Sequence, residues 1–135
     1  MLVLPQGLVD AMVKHATNDH PIEACGILIG DLGSDHVETF QPMVNIAKSS
    51  TYFQFDSTEQ LKVWREMDRK HQEAIVFYHS HTTSRAYPSR EDLAFAQAAN
   101  THHVIISTAP DTYLELRSYR YVQGRAVEET IKIIQ

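Results

Sequence analysis

The order of hydrophobic patterns along the chain predicts a mixed α/β (α+β) fold: a single curved, mostly antiparallel sheet flanked by helices. Three observations carry this expectation. Amphipathic segments of helical period are interspersed with short β-branched runs instead of being segregated. Several of the short runs are separated by turn residues at hairpin distance. One run, "AIVFYHSH" at 74–81, is apolar up to its closing histidines, as a central strand covered on both faces should be.

Each element has a local reason. Segment 5–18, "PQGLVDAMVKHATN", sets Leu8, Ala11, Met12 and His15 at helical spacing behind Pro5, a good first-turn residue, and is a first helix. "EACGILIG" is a short apolar strand closed by Gly30; "DLGSD" supplies a turn and "HVETFQPMVN" a second strand. "STYFQF" reads as another strand. "DSTEQLKVWREMDRKHQ" starts with Ser57 and Gln60 at capping-box spacing, and a second helix follows with Leu61, Trp64 and Met67 facing inward. "PSREDLAFAQAAN" is a third helix. "HHVIIST" and "TYLELRSYRYV" are strands, and "QG" turns the chain into "RAVEETIKII", a last strand or short mixed segment.

A chain of 135 residues lies within the usual range of one domain, so residues 1–135 are expected to fold as one. With 12 Lys+Arg against 17 Asp+Glu the formal charge is −5, and no basic run offers a nucleic-acid footprint. No apolar stretch approaches the roughly 20 residues that span a bilayer, and "MLVLPQGLVD" lacks the basic start and cleavage site of a signal peptide. Cys25 is the only cysteine, which excludes an internal disulfide and suits a reducing compartment. The expectation is a cytoplasmic protein without nucleic-acid or membrane partners.

The chemistry concentrates in "FYHSHTTSRAYPSRED", residues 77–92. Successive strand side chains point to opposite faces, so His79 and His81 project to the same side while Ser80 points away. An aspartate such as Asp92 could complete a set of three ligands, the number a catalytic zinc uses when it keeps a position for water. The plainer alternative is local: "SRED" is also a capping box, Ser89 bonding the Asp92 amide and the Asp92 carboxylate reaching back. A carboxylate committed to that cap is not expected to serve a metal as well. Hydrolysis by a bound water further needs a general base. Glu23, at the mouth of "ACGILIG", stands where burial would lift its pKa toward neutrality; a strand-end surface glutamate is the alternative.

Taken together, Glu23, "HSH" at 79–81, Ser89 and Asp92 resemble the JAMM signature of the JAB1/MPN/Mov34 metallopeptidases, and "PIEACGILIG" around the glutamate extends the likeness. The resemblance implies a JAMM/MPN (cytidine-deaminase-like) core. It implies one Zn²⁺ per chain held by His79, His81 and Asp92. Glu23 would act as base toward water and then as acid toward the leaving amine, and Ser89 would steady the oxyanion. Eukaryotic deubiquitinases of this family usually carry proline after the second histidine; here Thr82 follows, and the chain has no room for their ubiquitin-gripping insertions. Stretches such as "EQLKVWR", "YHSHT", "AYPSR" and "ELRSYR" are instead similar to an actinobacterial branch acting on a ubiquitin-like sulfur-carrier protein. That likeness implies cleavage between the carrier's terminal glycine, at the end of a Gly-Gly tail, and an appended cysteine, in cysteine biosynthesis. Cleavage of another ubiquitin-like fusion and a noncatalytic scaffold remain the rivals. Two imidazoles and a carboxylate also suit Fe²⁺ or Co²⁺, and the sequence permits a homodimer.

Several other residues carry two readings each. "NIAKSSTYFQF" could offer a sheet edge to an extended tail, or be an ordinary paired strand. Cys25, two residues from Glu23, could close the metal site as a fourth ligand or be a buried small hydrophobe. Arg85, Tyr78 and Tyr87 flank the motif, and a guanidinium suits a cysteine carboxylate. His15, His20, His36 and His71 lack ligand spacing. His102 and His103 are adjacent and point to opposite faces if the strand has begun; one of them could support the site, and neither is assigned to it.

Overall fold

The structure, a computed structural model, describes residues 1–94 and 101–135. In chain order the elements are β1 (Leu2–Pro5), α1 (Gln6–Asp19), β2 (Cys25–Asp31), β3 (Thr39–Met43), α2 (Ser57–Arg69), β4 (Gln72–His81), α3 (Arg90–Ala94), β5 (His102–Ser107), β6 (Leu116–Val122), β7 (Arg125–Glu129) and β8 (Ile131–Ile134). Six strands form one sheet in the order β3-β2-β4-β5-β6-β7, and β1 pairs with β8 in a second, two-stranded sheet. Within the larger sheet only β4 and β5 run parallel. Parallel neighbours need a crossover, and this one, leaving β4 at His81 and returning at His102, carries α3. The mixed, mostly antiparallel architecture expected from the sequence is therefore the one observed, with "AIVFYHSH" at its centre. No helix among the described residues is long and apolar enough to cross a membrane.

The alternation along β4 decides what each face does. Val76 and Tyr78 pack with Leu28, Val104, Ile106, Met12 and Ala16 on the α1 side. Phe77 packs with Cys25, Ile27, Met43, Phe55 and Met67 on the α2 side, with Trp64 against them. His79 and His81 continue the Phe77 side. A bulge between Leu28 and Ile29 inserts Ile75 into the β4 ladder and resets the alternation, so Ala74 falls on the same side as Phe77. Gly30 makes room there: a Cβ would sit 2.1 Å from the His36 carbonyl oxygen and 2.4 Å from Ile75 Cδ1.

Several local expectations are corrected. The buried stripe of α1 is Val9, Met12 and Ala16, rotated from the expected set of Leu8, Ala11, Met12 and His15 because β1, unforeseen in the sequence, fixes how the helix enters. The second helix takes Asp56 as N-cap without a side-chain cap bond, so the Ser57–Gln60 capping box does not form. Leu61 is 51% exposed, and Met67 is the fully inward residue of that stripe. "STYFQF" is not a strand. Asn45 draws the segment into a closed loop, its Nδ2 donating to the Tyr52 carbonyl and its Oδ1 accepting from Ala47 and Gln54, with one isolated bridge from Asn45 to Phe55. A side-chain amide that collects backbone groups in this way competes with a ladder. "RAVEETIKII" divides between two sheets, as β7 and β8. The third helix is described as Arg90–Ala94; its expected continuation to residue 100 lies outside the described residues.

Candidate metal centre

His79 and His81 end β4 on one face, 4% exposed each, and Asp92 enters from α3 at 6% exposure. The Nε2 atoms of the two imidazoles are 3.1 Å apart. Asp92 Oδ1 lies 3.1 Å from His79 Nε2, and Oδ2 lies 2.9 Å from His81 Nε2. Among the described residues, these three form the group whose potential ligand atoms converge. A tetrahedral zinc with bonds of roughly 2.0–2.1 Å separates its ligand atoms by about 3.4 Å. The imidazole nitrogens approach each other and one oxygen each of the carboxylate at slightly less than that spacing, so with a small outward adjustment the three residues fit such an ion.

The capping box forms as well. Asp92 Oδ2 accepts the Ser89 amide at 2.8 Å, and Ser89 Oγ accepts the Asp92 amide at 3.1 Å. The carboxylate that makes the cap also faces both imidazoles, and two oxygens with about four lone-pair directions allow this. The cap orients the group that the histidines face. Ser89 Oγ, having accepted one amide, keeps its own O–H to donate.

The imidazoles are held from behind. His81 Nδ1–H donates to the Arg85 carbonyl at 3.0 Å, with Ser84 Oγ at 3.3 Å, which leaves the Nε2 lone pair toward the triangle. The His79 ring stacks on Phe53 at 4.7 Å between centroids. Burial pushes the His79 pKa down against the pull of Asp92. Burial also opposes protonation of His81, but hydrogen bonds to Asp92 and Arg85 outweigh it and the net shift is upward. Burial raises Asp92, yet the two imidazoles more than reverse this and hold it well below the usual carboxylate range.

Glu23 is set beside them by register. Cys25 pairs with His79, and Ser80 N–H donates to the Ala24 carbonyl while Ser80 Oγ accepts the Ala24 amide. The same antiparallel register carried two residues further sets Glu23 opposite His81. Its backbone is tied at both ends, N–H donating to the Ser49 carbonyl and C=O accepting from Asn45 Nδ2. The side chain is 3% exposed, and its Oε1 is buried with no hydrogen-bond partner. Burial raises its pKa from 4.5 to about 7, with His81 lowering it and Asp92 and Glu91 adding to the rise.

The remaining candidates separate. Cys25 is not part of the triangle; its Sγ–H donates to the Met43 carbonyl, and burial pushes the thiol up to about 12. Tyr78 faces away, fully buried, its O–H donating to the Met12 carbonyl and meeting His15 Nδ1 at 3.1 Å. Arg85 is engaged by Glu115 at 2.6 Å and stacks over Tyr87, as does Arg117. "NIAKSSTYFQF" supplies the loop that fixes Glu23 rather than a sheet edge. Of the histidine pair, His103 is the one beside the site, sandwiched against Phe77 and Tyr121 and held down to about 4, first by burial and then by His79. His102 donates from Nδ1 to Glu129 on the other face. Asn45 and Glu115 were not legible beforehand; the contacts that bring them to the site, to Glu23 and to Arg85, span 22 and 30 residues.

The chain matches the family model described as prokaryotic homologues of the JAB domain over residues 5–122. It is 47% identical, over its whole length and 92% of the relative, to a protein of Mycobacterium tuberculosis named CysO-cysteine peptidase. It is 29% identical over 107 residues, 76% of each chain, to a desampylase of Haloferax volcanii. A Desulfitobacterium hafniense solution structure superposes with a TM-score of 0.85 at 30% identity, covering 100% of this chain and 94% of the other. A JAB1/MPN domain protein from Archaeoglobus fulgidus shares the fold, with a TM-score of 0.62 at 19% identity over 99% and 97%. The fold agrees with these likenesses, and the chain belongs to the prokaryotic JAB-domain family.

Proposed function

We propose that the protein is a zinc-dependent peptidase that cleaves the bond between the C-terminal glycine of a ubiquitin-like sulfur-carrier protein and an appended cysteine, releasing free cysteine. The observation that supports this most is the buried triangle of His79, His81 and Asp92 beside a glutamate whose Oε1 has no partner. The 47% identity to a CysO-cysteine peptidase supports the substrate. Two imidazoles and one carboxylate at about 3 Å separation are a donor set that suits Zn²⁺. When bound, the cation supplies polarisation of the scissile carbonyl and acidification of a water.

The chain's own residues do the rest. Glu23, poised near neutrality, takes a proton at Oε1 from the attacking water and returns it to the cysteine nitrogen as the C–N bond breaks. Ser89 donates its O–H to the oxygen on which negative charge develops. His79, His81 and Asp92 hold the ion, and Arg85 fixes His81 in the tautomer that can do so. A Gly-Gly tail, lacking side chains, permits the close backbone approach such a buried centre needs. In this reading residues 1–135 act as one cytoplasmic domain; all five residues come from one chain, so a homodimer is not required for the chemistry.

The likeness to a desampylase favours a second reading, the processing of another ubiquitin-like conjugate. One experiment separates the two. A carrier–cysteine adduct and a ubiquitin-like fusion are each incubated with the protein, with and without a chelator, and mass spectrometry locates the cut. Metal-dependent release of cysteine from the adduct is expected. Release that survives complete demetallation refutes the proposal, and cleavage of the fusion alone selects the second reading.

A further inference from the structure

Behind His81, a single peptide plane connects the imidazole to a carboxylate. The Arg85 carbonyl that accepts the His81 Nδ1–H belongs to the Arg85–Ala86 peptide, and the N–H of that same peptide donates to Glu115 Oε1 at 2.9 Å. Glu115 Oε2 accepts from Arg85 Nη2 at 2.6 Å and from Arg117 Nε at 3.0 Å. The flanking peptides on both sides are pinned too. Tyr119 O–H donates to the Ala86 carbonyl at 2.7 Å, and Ser107 Oγ–H donates to the Ser84 carbonyl at 2.6 Å. The ends of β4 and β5 are tied to the same frame by the Thr108 amide donating to the His81 carbonyl and the Ser107 amide donating to the Glu115 carbonyl.

We propose that Glu115 is a positioning residue for the metal ligand His81, acting through the Arg85–Ala86 peptide as an imidazole–peptide–carboxylate relay. This rests on the reading of His81 as a ligand. The physical reason is twofold. A peptide whose N–H is bound by an anion is a more strongly polarised acceptor at its oxygen, so the His81 Nδ1–H bond strengthens and Nε2 becomes a better donor to a cation. A carboxylate bonded directly to a metal-bound histidine has the same effect, and loss of such outer partners typically costs 10–100-fold in metal affinity. Here the carboxylate is one peptide removed, and it also fixes the plane along which the imidazole must lie. Glu115 is held ionised, down to about 2, first by the Arg85 hydrogen bond and then by the Ala86 amide and Arg117 despite some opposing burial. Tyr119 contributes geometry without charge.

The test uses the full chain loaded with Co²⁺, its dissociation constant measured by competition with a chromophoric chelator. The His81 Nδ1–H resonance of the Zn²⁺-loaded protein is followed by NMR. Glu115→Ala should weaken Co²⁺ binding roughly 10-fold or more and move the His81 N–H resonance upfield. Glu115→Gln, which keeps an acceptor for the Ala86 amide but loses the charge, should fall between that and the wild type. Arg117→Ala, which removes a guanidinium from Glu115 Oε2 but leaves the Glu115–Ala86 bond in place, should change affinity by less than about threefold against that 10-fold loss. Wild-type affinity and an unmoved resonance in Glu115→Gln overturn the relay, whatever happens to thermal stability, and they do so even if Glu115→Ala fails to fold. A wild-type protein that binds no Co²⁺ instead overturns the metal reading, and the relay with it.

Discussion

Replacing Glu23 with Gln should make the metal-free protein more stable at alkaline pH and should abolish nearly all activity of the metal-loaded protein. The side chain is 3% exposed and its Oε1 lacks a partner, and burial lifts its pKa from 4.5 to about 7. A raised acid is favoured in its protonated form by the folded state. Its contribution is complete below the unfolded value of 4.5 and is lost as pH climbs through about 7. At about 1.4 kcal/mol per tenfold change in proton affinity, the ionised carboxylate costs the fold about 3 kcal/mol once pH exceeds 8. Some of this is already lost at pH 5, so less than that total falls between pH 5 and pH 8, and about 2 kcal/mol is the working figure. Gln carries no charge at either pH. Urea unfolding of both proteins in chelator at pH 5 and pH 8 measures the difference, histidine titrations common to both cancelling to first order. The wild type should lose about 2 kcal/mol more than the variant over that interval. Parallel pH dependences would refute the claim that Glu23 is a desolvated acid. The same substitution should leave metal bound and reduce turnover by roughly 10²–10⁴; loss of the metal would show that Glu23 is a ligand instead of a base.

Three further outcomes are expected. Asp92→Asn keeps an acceptor for the Ser89 amide but removes the charge facing His79 and His81, so Zn²⁺ affinity should fall at least about 10-fold with the helix start intact by circular dichroism; unchanged affinity by calorimetry would exclude Asp92 as a ligand. Ser89→Ala removes one cap bond, worth about 1 kcal/mol of stability, and the oxyanion donor, worth roughly 10²–10³ in kcat. A kcat within threefold of wild type, against that expected loss, would leave Ser89 as a cap alone. Phe77→Ala opens the cluster shared with Phe55, Trp64 and His103 on the site's own face, and should destabilise the fold by about 3–5 kcal/mol in urea. A loss below about 1 kcal/mol would mean that this layer collapses to fill the gap.

Much of the centre was written in short-range terms. The alternation of an extended strand puts His79 and His81 on one side whatever surrounds them, and the S-x-x-D spacing makes a helix start that aims Asp92 backward. The apolar run before the histidines required a covered central strand, and β4 is one. These are statements about a few neighbouring residues, and backbone geometry answers them. The stripe of α1 and the segment 50–55 went differently because their outcome lay elsewhere. A strand pairing Leu2 with Ile131 turns the helix, and a single Asn45 amide intercepts the backbone groups that a ladder would have used.

From the sequence alone came the class of fold, the identity of the motif and the faces on which its members lie. The tertiary structure decided that the faces meet. Asp92 reaches the histidines only because β4 and β5 run parallel and the crossover must fold back over the strand end. Glu23 becomes a buried acid near neutrality only because the β2–β4 register sets it opposite His81 while Asn45 and Ser49 close over its backbone. Direction along a strand or helix is a property of local dihedral angles. Desolvation and convergence depend on contacts between residues tens of positions apart, and those exist only once the whole sheet has formed.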